Sequence, residues 1–334
     1  MIEDRPAIVV TTIFEVGEAL KCLSAGAIEK NWDLIIIGDR KSPKNFHLTG
    51  ADFFDLEAQH QTGFKLSKLC PESHYARKNL GYLIAMKSGN TVIIETDDDN
   101  IPKADFWLAR TRSKKAVSVS GDGWYNIYNQ FSGDLIWPRG FPLEHIHSTN
   151  HTSIDMKLIE SQYPIQQGLA DENPDVDAVF RMTRELPINF NNVDHSVVLK
   201  GGVWCPFNSQ NTTWFKEAFP LLYLPSYCTF RMTDIWRSFV AQRIAWECGW
   251  EVLYHQATVF QRRNDHNLLK DFELEIPGYL HNDRIAQVLQ SLPLKSGVKN
   301  IADSMVACYG ELVAKKIIDN PHELVLLNAW LDDL

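Results

Sequence analysis

Hydrophobic and polar positions alternate slowly along this chain, in apolar runs that end abruptly in polar turns. Ala7 to Ile13 is apolar at every position before Thr11, as in a strand buried on both faces, and Trp32 to Asp39 repeats the pattern. Between them, Glu15 to Lys30 puts Ala19, Leu20, Leu23, Ala27 and Ile28 on one helical stripe. A β-α-β opening of this kind predicts a parallel sheet with its ligands at the carboxyl ends of the strands. A short strand is expected around Asp52 to Leu56, then a helix over Ser73 to Gly89 with the glycine as its C-cap. Thr91-Val92-Ile93-Ile94 is the next buried strand. It runs into Glu95-Thr96-Asp97-Asp98-Asp99-Asn100-Ile101-Pro102, where three carboxylates stand together ahead of a proline.

The second half is less regular. Val117 to Asn126 reads as strand and loop, Gly168 to Arg181 as an acidic loop leading to a short element, and Phe207 to Trp214 as an amide-rich turn. Arg231 to Phe239 opens an amphipathic helix with Thr233 or Asp234 near its cap. Glu251 to Tyr254 and Ala257 to Gln261 are expected as two late strands. From Asp283 the period becomes helical through Ile285–Leu292, Ile301–Ile318 and Glu323–Leu331. The chain is therefore divided into a body over residues 1–282 and a helical appendage over 283–334.

Composition narrows the function. A chain of 334 residues with 45% apolar content supports a large globular core. The net charge of -9 disfavours nucleic-acid backbones and anionic membrane surfaces as general partners. Cys22, Cys70, Cys205, Cys228, Cys248 and Cys308 are scattered without a C-x-x-C pair, which suggests reduced core thiols. Met1 to Pro6 lacks a basic, then apolar, leader and no run approaches membrane-spanning length. A cytoplasmic location is expected.

Candidate chemistry centres on Asp97-Asp98-Asp99. Adjacent carboxylates resist joint ionisation, and a hard divalent cation shared with a substrate's phosphates relieves that conflict; a solvated acidic turn is the plainer alternative. Asp39 ends the second strand, where it either ties a turn or accepts from ribose hydroxyls or a base N–H. Arg77 and Lys78 lie in the first turns of a helix, where the dipole disfavours cations unless an anion is bound. Pro138 and Pro142 bracket Gly140 and hold Arg139 in a rigid segment. Asn208 and Trp214 pair an amide with an aromatic face, which suits a hydroxyl-rich acceptor. The missing G-x-G-x-x-G makes a dinucleotide-binding unit unlikely on sequence grounds.

Together these residues resemble GT-A nucleotide-sugar glycosyltransferases, and more narrowly the STELLO-type family. The resemblance rests on Gly38-Asp39-Arg40-Lys41-Ser42-Pro43, Glu95 to Asn100, Trp137-Pro138-Arg139-Gly140-Phe141-Pro142, Asp175 to Arg181 and Asp234-Ile235-Trp236-Arg237. It covers roughly residues 7 to 267. A more distant similarity is to the reversibly glycosylated polypeptides, which act as UDP-arabinose mutases. Unlike plant STELLO proteins, the chain shows no N-terminal anchor, so their Golgi setting is not carried over.

The resemblance implies an α/β GT-A fold, a mixed sheet flanked by helices, and a nucleotide-diphosphate sugar donor, UDP first. It implies Mn²⁺ or Mg²⁺ on Asp99 and His266, with Asp97 at the ribose or metal-bound water and Asp98 among the nucleotide-sugar-binding residues. Thr11 and Asp39 would hold the nucleoside, with Arg77 and Lys78 near the phosphates. Asp234 would take the proton of an acceptor hydroxyl, which inverts the anomeric carbon. Arg139 would clamp a diphosphate or acceptor anion. Two rival readings stand beside the transferase: a UDP-sugar mutase with Arg139 at the sugar, and a non-catalytic protein that binds partners through its C-terminal helices. Oligomer formation is left open.

Overall fold

In the computed structural model, residues 5–147, 152–263 and 267–334 are described. The strands are β1 Pro6–Thr11, β2 Asp33–Ile37, β3 Asp52–Phe54, β4 Val92–Thr96, β5 Asn100–Pro102, β6 Ser113–Gly121, β7 Gly123–Trp124, β8 Thr152–Gln162, β9 Ile165–Asp171, β10 Ser196–Leu199, β11 Val203–Trp204, β12 Asn211–Phe215 and β13 Val252–Gln261. Among the described residues, one mixed sheet runs β3-β2-β1-β4-β12-β9-β13-β10-β6-β8, and β5 pairs with β13. The parallel opening is present: β1 lies between β2 and β4, with Thr11 opposite Ile37 and Val9 opposite Glu95.

This is the α/β architecture expected of a GT-A-like fold, with helices on both sides of the sheet. Alternate residues of β1 face different cores. Val9 joins Leu80 and Leu83 of helix Lys78–Lys87 on one face, and Ile8 and Val10 join Leu20 and Leu23 of helix Glu18–Lys30 on the other. Contact at the first face is tight, because a Cβ at Gly81 would sit 2.5 Å from Val9 Cγ1. Only a glycine lets that helix lie so close to the sheet.

Several sequence expectations need correction. The segment Ser73–Gly89 begins with a 3₁₀ turn, Tyr75–Arg77, before the α-helix Lys78–Lys87; Gly89, at φ +83°, does end it. The second half of the amide-rich turn proposed for Phe207 to Trp214 is β12, a central strand buried at every position. The first four residues of the expected acidic loop Gly168–Arg181 are the end of β9. The two late strands are one, β13, whose register shifts between His255 and Val259. Strand β8 was not anticipated, because its residues are exposed along nearly all its length and show no buried alternation.

The C-terminal helical region is present as Leu268–Ser291, Ile301–Ala314 and Glu323–Asp333. The expected boundary at 282/283 falls inside the first of these helices. Leu289, Met305, Leu312 and Trp330 share one core with Leu80, Phe239 and Ile244. Buried Glu323 accepts hydrogen bonds from the Ser226 and Tyr227 amides at 2.9 and 2.7 Å, and Asp333 accepts from the Lys65 and Leu66 amides at 2.9 and 2.8 Å.

Candidate active site

β1, β2 and β4 end side by side, and their exits form the floor of a cavity of about 430 Å³. Beyond β4 the acidic turn begins, and each of its carboxylates has its own setting. Asp97 Oδ1 accepts from Tyr75 Oη at 3.0 Å and Lys78 Nζ at 3.2 Å. Burial pushes its pKa up and the Lys78 charge opposes that. Asp98 Oδ2 accepts from Thr12 Oγ1. Burial, followed by the charge of Asp97, carries Asp98 up to about 6 despite that hydroxyl. Asp99 accepts from Gln261 Nε2 at 3.2 and 3.3 Å through its two oxygens.

Lys78 is fully buried and fully engaged. Its ammonium donates to the Thr96 carbonyl at 2.7 Å, Tyr75 Oη at 2.9 Å and the Ser209 carbonyl at 3.3 Å, besides Asp97. Tyr75 Oη shares a hydrogen bond with Ser209 Oγ, which donates to Asp234 Oδ2 at 3.3 Å. A polar chain thus crosses the site from Asp97 to the segment around Arg139.

There the sequence brings one guanidinium between two carboxylates. Arg139 Nε and Nη2 donate to the two oxygens of Asp175 at 2.7 and 2.9 Å. Nη1 and Nη2 donate to the two oxygens of Asp234 at 3.0 and 2.9 Å, and Nη1 also donates to the Arg231 carbonyl. All five donors are spent. Burial would raise the pKa of Asp234, but the charge and hydrogen bonds of Arg139 outweigh it and hold the carboxyl below its usual range. Beneath the site, buried Glu95 accepts from Arg237 Nη1 and Nη2 at 3.0 and 2.9 Å, from Trp214 Nε1 at 2.8 Å and from Tyr82 Oη. That pair fastens helix Thr233–Glu247 to β4.

Comparison with known proteins bears on this arrangement. A family model described as "STELLO glycosyltransferases" matches residues 231–334. "Probable glycosyltransferase STELLO1" of Arabidopsis thaliana is 28% identical over 325 residues, 91% of this chain. "Probable glycosyltransferase STELLO2" of the same plant is 31% identical over 248 residues, 69% of this chain. The chain is STELLO-like by these matches. It spans 41% of the first plant protein and 32% of the second. A solved structure titled "Crystal Structure of a Mycobacterial Protein" superposes with a TM-score of 0.44 at 9% identity, covering 84% of this chain and 75% of that one, too distant to add to the argument.

In this STELLO-like chain, the cavity brings together Thr11, Asp39, Arg77, Asp97, Asp98, Asp99, Arg139 and Asp234 from the sequence-predicted set. Their availability differs. Asp39 accepts from the amides of Arg40 at 2.7 Å, Ser73 at 2.8 Å and His74 at 3.0 Å, so its carboxylate ties the neighbouring loop. Arg77 is buried and turned to Gln59 Oε1 at 2.8 Å and the Cys70 carbonyl at 3.0 Å. His266 lies outside the described residues.

The acceptor assignment fails for Trp214. Its ring is wholly buried with Arg237 5.0 Å from its centroid, so no substrate reaches it. Asn208 is also buried and its side-chain oxygen accepts from the Gln210 amide at 3.0 Å; neither residue lines the cavity.

Other residues line the cavity and were not singled out as site residues. Tyr75 and Gln261 orient the acids. Thr12, whose hydroxyl was visible beside Thr11 in the sequence, holds Asp98. Phe230 lies at the mouth, 49% exposed, edge-on to Tyr75 at 5.6 Å. Arg231 and Arg263 line the wall, paired with Glu275 and Asp271 at 2.8 and 2.7 Å, and among the described residues Arg77 Nη2 and Arg263 Nε are buried without a hydrogen-bond acceptor.

Proposed function

We propose that the chain transfers a glycosyl group from a nucleotide-diphosphate sugar, UDP first among donors, to a hydroxyl of a glycan or other acceptor, with Mn²⁺ or Mg²⁺ at the acidic turn. The observation that carries the reading is Asp98: a desolvated carboxyl, raised to about 6 beside a second raised carboxyl, with the nearby Lys78 already fully engaged. Carboxylates held together at that cost fit an oxygen-binding divalent cation, and Asp97, Asp98 and Asp99 supply the donor set. When bound, the ion would offset the charge that develops on the departing diphosphate.

The remaining roles follow from which side chains are free. Lys78 is committed internally and Arg231 is paired with Glu275, so the phosphates are assigned to Lys41, Arg77 and Arg263: all three line the cavity, and among the described residues Arg77 Nη2 and Arg263 Nε have no acceptor. Thr11 and the Asp39 loop bound the nucleoside end. Phe230 offers the apolar face that a sugar's C–H groups need. Arg139 and Asp234 are assigned to building the wall: a guanidinium with five filled donors is a poor nucleophile, and a carboxylate held at low pKa is a weak base. The mutase reading, which needs Arg139 at the sugar, loses ground for that reason.

Calorimetric titration with UDP, GDP and CDP, each with and without Mn²⁺, tests the proposal. Binding of one diphosphate that requires the metal and is lost in Asp99→Ala is expected. Absence of binding to all three, in folded protein, would overturn it and favour a non-catalytic role.

A further inference from the structure

The second face of the sheet is only partly covered. Helix Glu18–Lys30 seals Ile8, Val10, Leu34, Ile36, Val92 and Ile94, while the far side of that face has the small cluster Ala116, Tyr163, Val198 and Leu253. Between them opens a second cleft of about 470 Å³, which shares no lining residue with the cavity described above. Its walls carry Arg110, Lys114, Lys115, His195 and His255, an accumulation of basic groups in a chain of net charge -9.

Arg110 is the centre of this group and is held in place. Its guanidinium lies 5.5 Å from the Trp32 ring centroid and 5.2 Å from that of Phe106, donates from Nε to Thr213 Oγ1 at 3.2 Å and from Nη1 to the Leu108 carbonyl at 2.8 Å. Among the described residues, neither Arg110 nor Lys114 forms an ion pair. The acids on the cleft wall, Asp105 and Asp194, form none with them, and Asp105 accepts instead from Gln256 Nε2 at 3.2 Å. Burial lowers Arg110 to about 10, and burial together with Arg110 lowers His255 to about 4. A half-buried cation without a counter-charge is costly to keep, and rigid guanidinium forks recognise oxyanions.

We propose that this cleft, around Arg110, Lys114 and His255, binds the phosphate or carboxylate group of a small soluble ligand, at a site separate from the donor cavity. The ligand's anion supplies the charge that the protein withholds. The inference does not depend on the donor reading.

The test is histidine ¹³Cε1–H NMR of the full chain, with the His195 and His255 signals assigned through His195→Gln and His255→Gln. Inorganic phosphate, glucose 1-phosphate, glucuronate and glucose are titrated at constant ionic strength. A saturable shift of these signals with the phosphates identifies a phosphate ligand, and one with glucuronate a carboxylate; glucose leaves them in place. Arg110→Gln and, should it not fold, Lys114→Gln weaken the response roughly tenfold or more, while Asp99→Ala retains it. No saturable shift with any probe, a shift unchanged in both cleft variants, or one lost in Asp99→Ala overturns the proposal.

Discussion

Arg139 and Asp234 meet through two parallel hydrogen bonds, Nη1 to Oδ1 at 3.0 Å and Nη2 to Oδ2 at 2.9 Å, while the rest of the same guanidinium is filled by Asp175 and the Arg231 carbonyl. The backbone is shaped for this. Gly140 follows at φ +88°, and a Cβ there would lie 2.3 Å from Ile235 Cγ2, one residue past Asp234. The rigid Trp137–Pro142 segment therefore docks on the start of helix Thr233–Glu247, and the ion pair locks the two together.

Arg139→Lys and Asp234→Asn are each expected to cost about 1–3 kcal/mol, because the lysine keeps the charge but loses the forked donors and the asparagine leaves Arg139 with Asp175 as its one charged partner. Urea unfolding measures this. Incubation of the wild type with UDP-sugars should add no sugar mass to the peptide containing Arg139. A stable Arg139→Lys protein, together with a glycosylated Arg139 in the wild type, would restore the mutase reading.

Asp98 carries a pH signature. Its folded pKa, about 6, is above that of an unfolded aspartate, so in metal-free protein its contribution to stability is full below pH ~4 and is lost as pH rises through about 6. Asp98→Asn should therefore stabilise the metal-free protein at pH 7, by about 1–2 kcal/mol after allowance for solvent screening. The same variant should lose Mn²⁺-dependent UDP binding. Thermal melts at pH 5 and pH 7 decide it: the stabilisation should be present at pH 7 and shrink at pH 5.

The acidic turn and the parallel opening were legible because they are local: β1, β2 and β4 are apolar throughout and Asp97 to Asp99 are adjacent. The saturation of Arg139 was not, because its partners lie 36 and 95 residues away in sequence. Strand β12 misled for a different reason. Its polar residues suggest surface, yet Asn211 Nδ2 is satisfied inside the sheet by the Leu169 carbonyl at 2.8 Å and Thr258 Oγ1 at 2.9 Å, and Thr212 by Gln167 Oε1 at 2.9 Å. Buried polar residues that satisfy one another cannot be told from exposed ones by hydropathy alone.

Lys78 sets the ionisation of its neighbour. Burial raises Asp97, and the Lys78 charge is the largest influence opposing it. Lys78→Met should therefore push Asp97 further up, so that protons compete with the cation at higher pH. The midpoint of Mn²⁺-dependent UDP binding against pH should move upward in the variant. A midpoint unchanged in a folded Lys78→Met protein would refute that role.

The two aromatics near the site separate cavity from core. Phe230 is half exposed at the cavity mouth, whereas Trp214 is wholly buried and gives its Nε1–H to Glu95 at 2.8 Å. Phe230→Ala should leave the unfolding midpoint nearly unchanged and raise the KM of a sugar substrate roughly tenfold, the scale of one lost aromatic contact. Trp214→Phe should do the opposite: it leaves one oxygen of a buried carboxylate short of a donor and costs about 1–3 kcal/mol of stability, with substrate affinity nearly unchanged. Calorimetry and urea unfolding on the same two variants give both halves of the comparison. A large KM effect in Trp214→Phe with wild-type stability would return the acceptor site to β12 and move it away from Phe230.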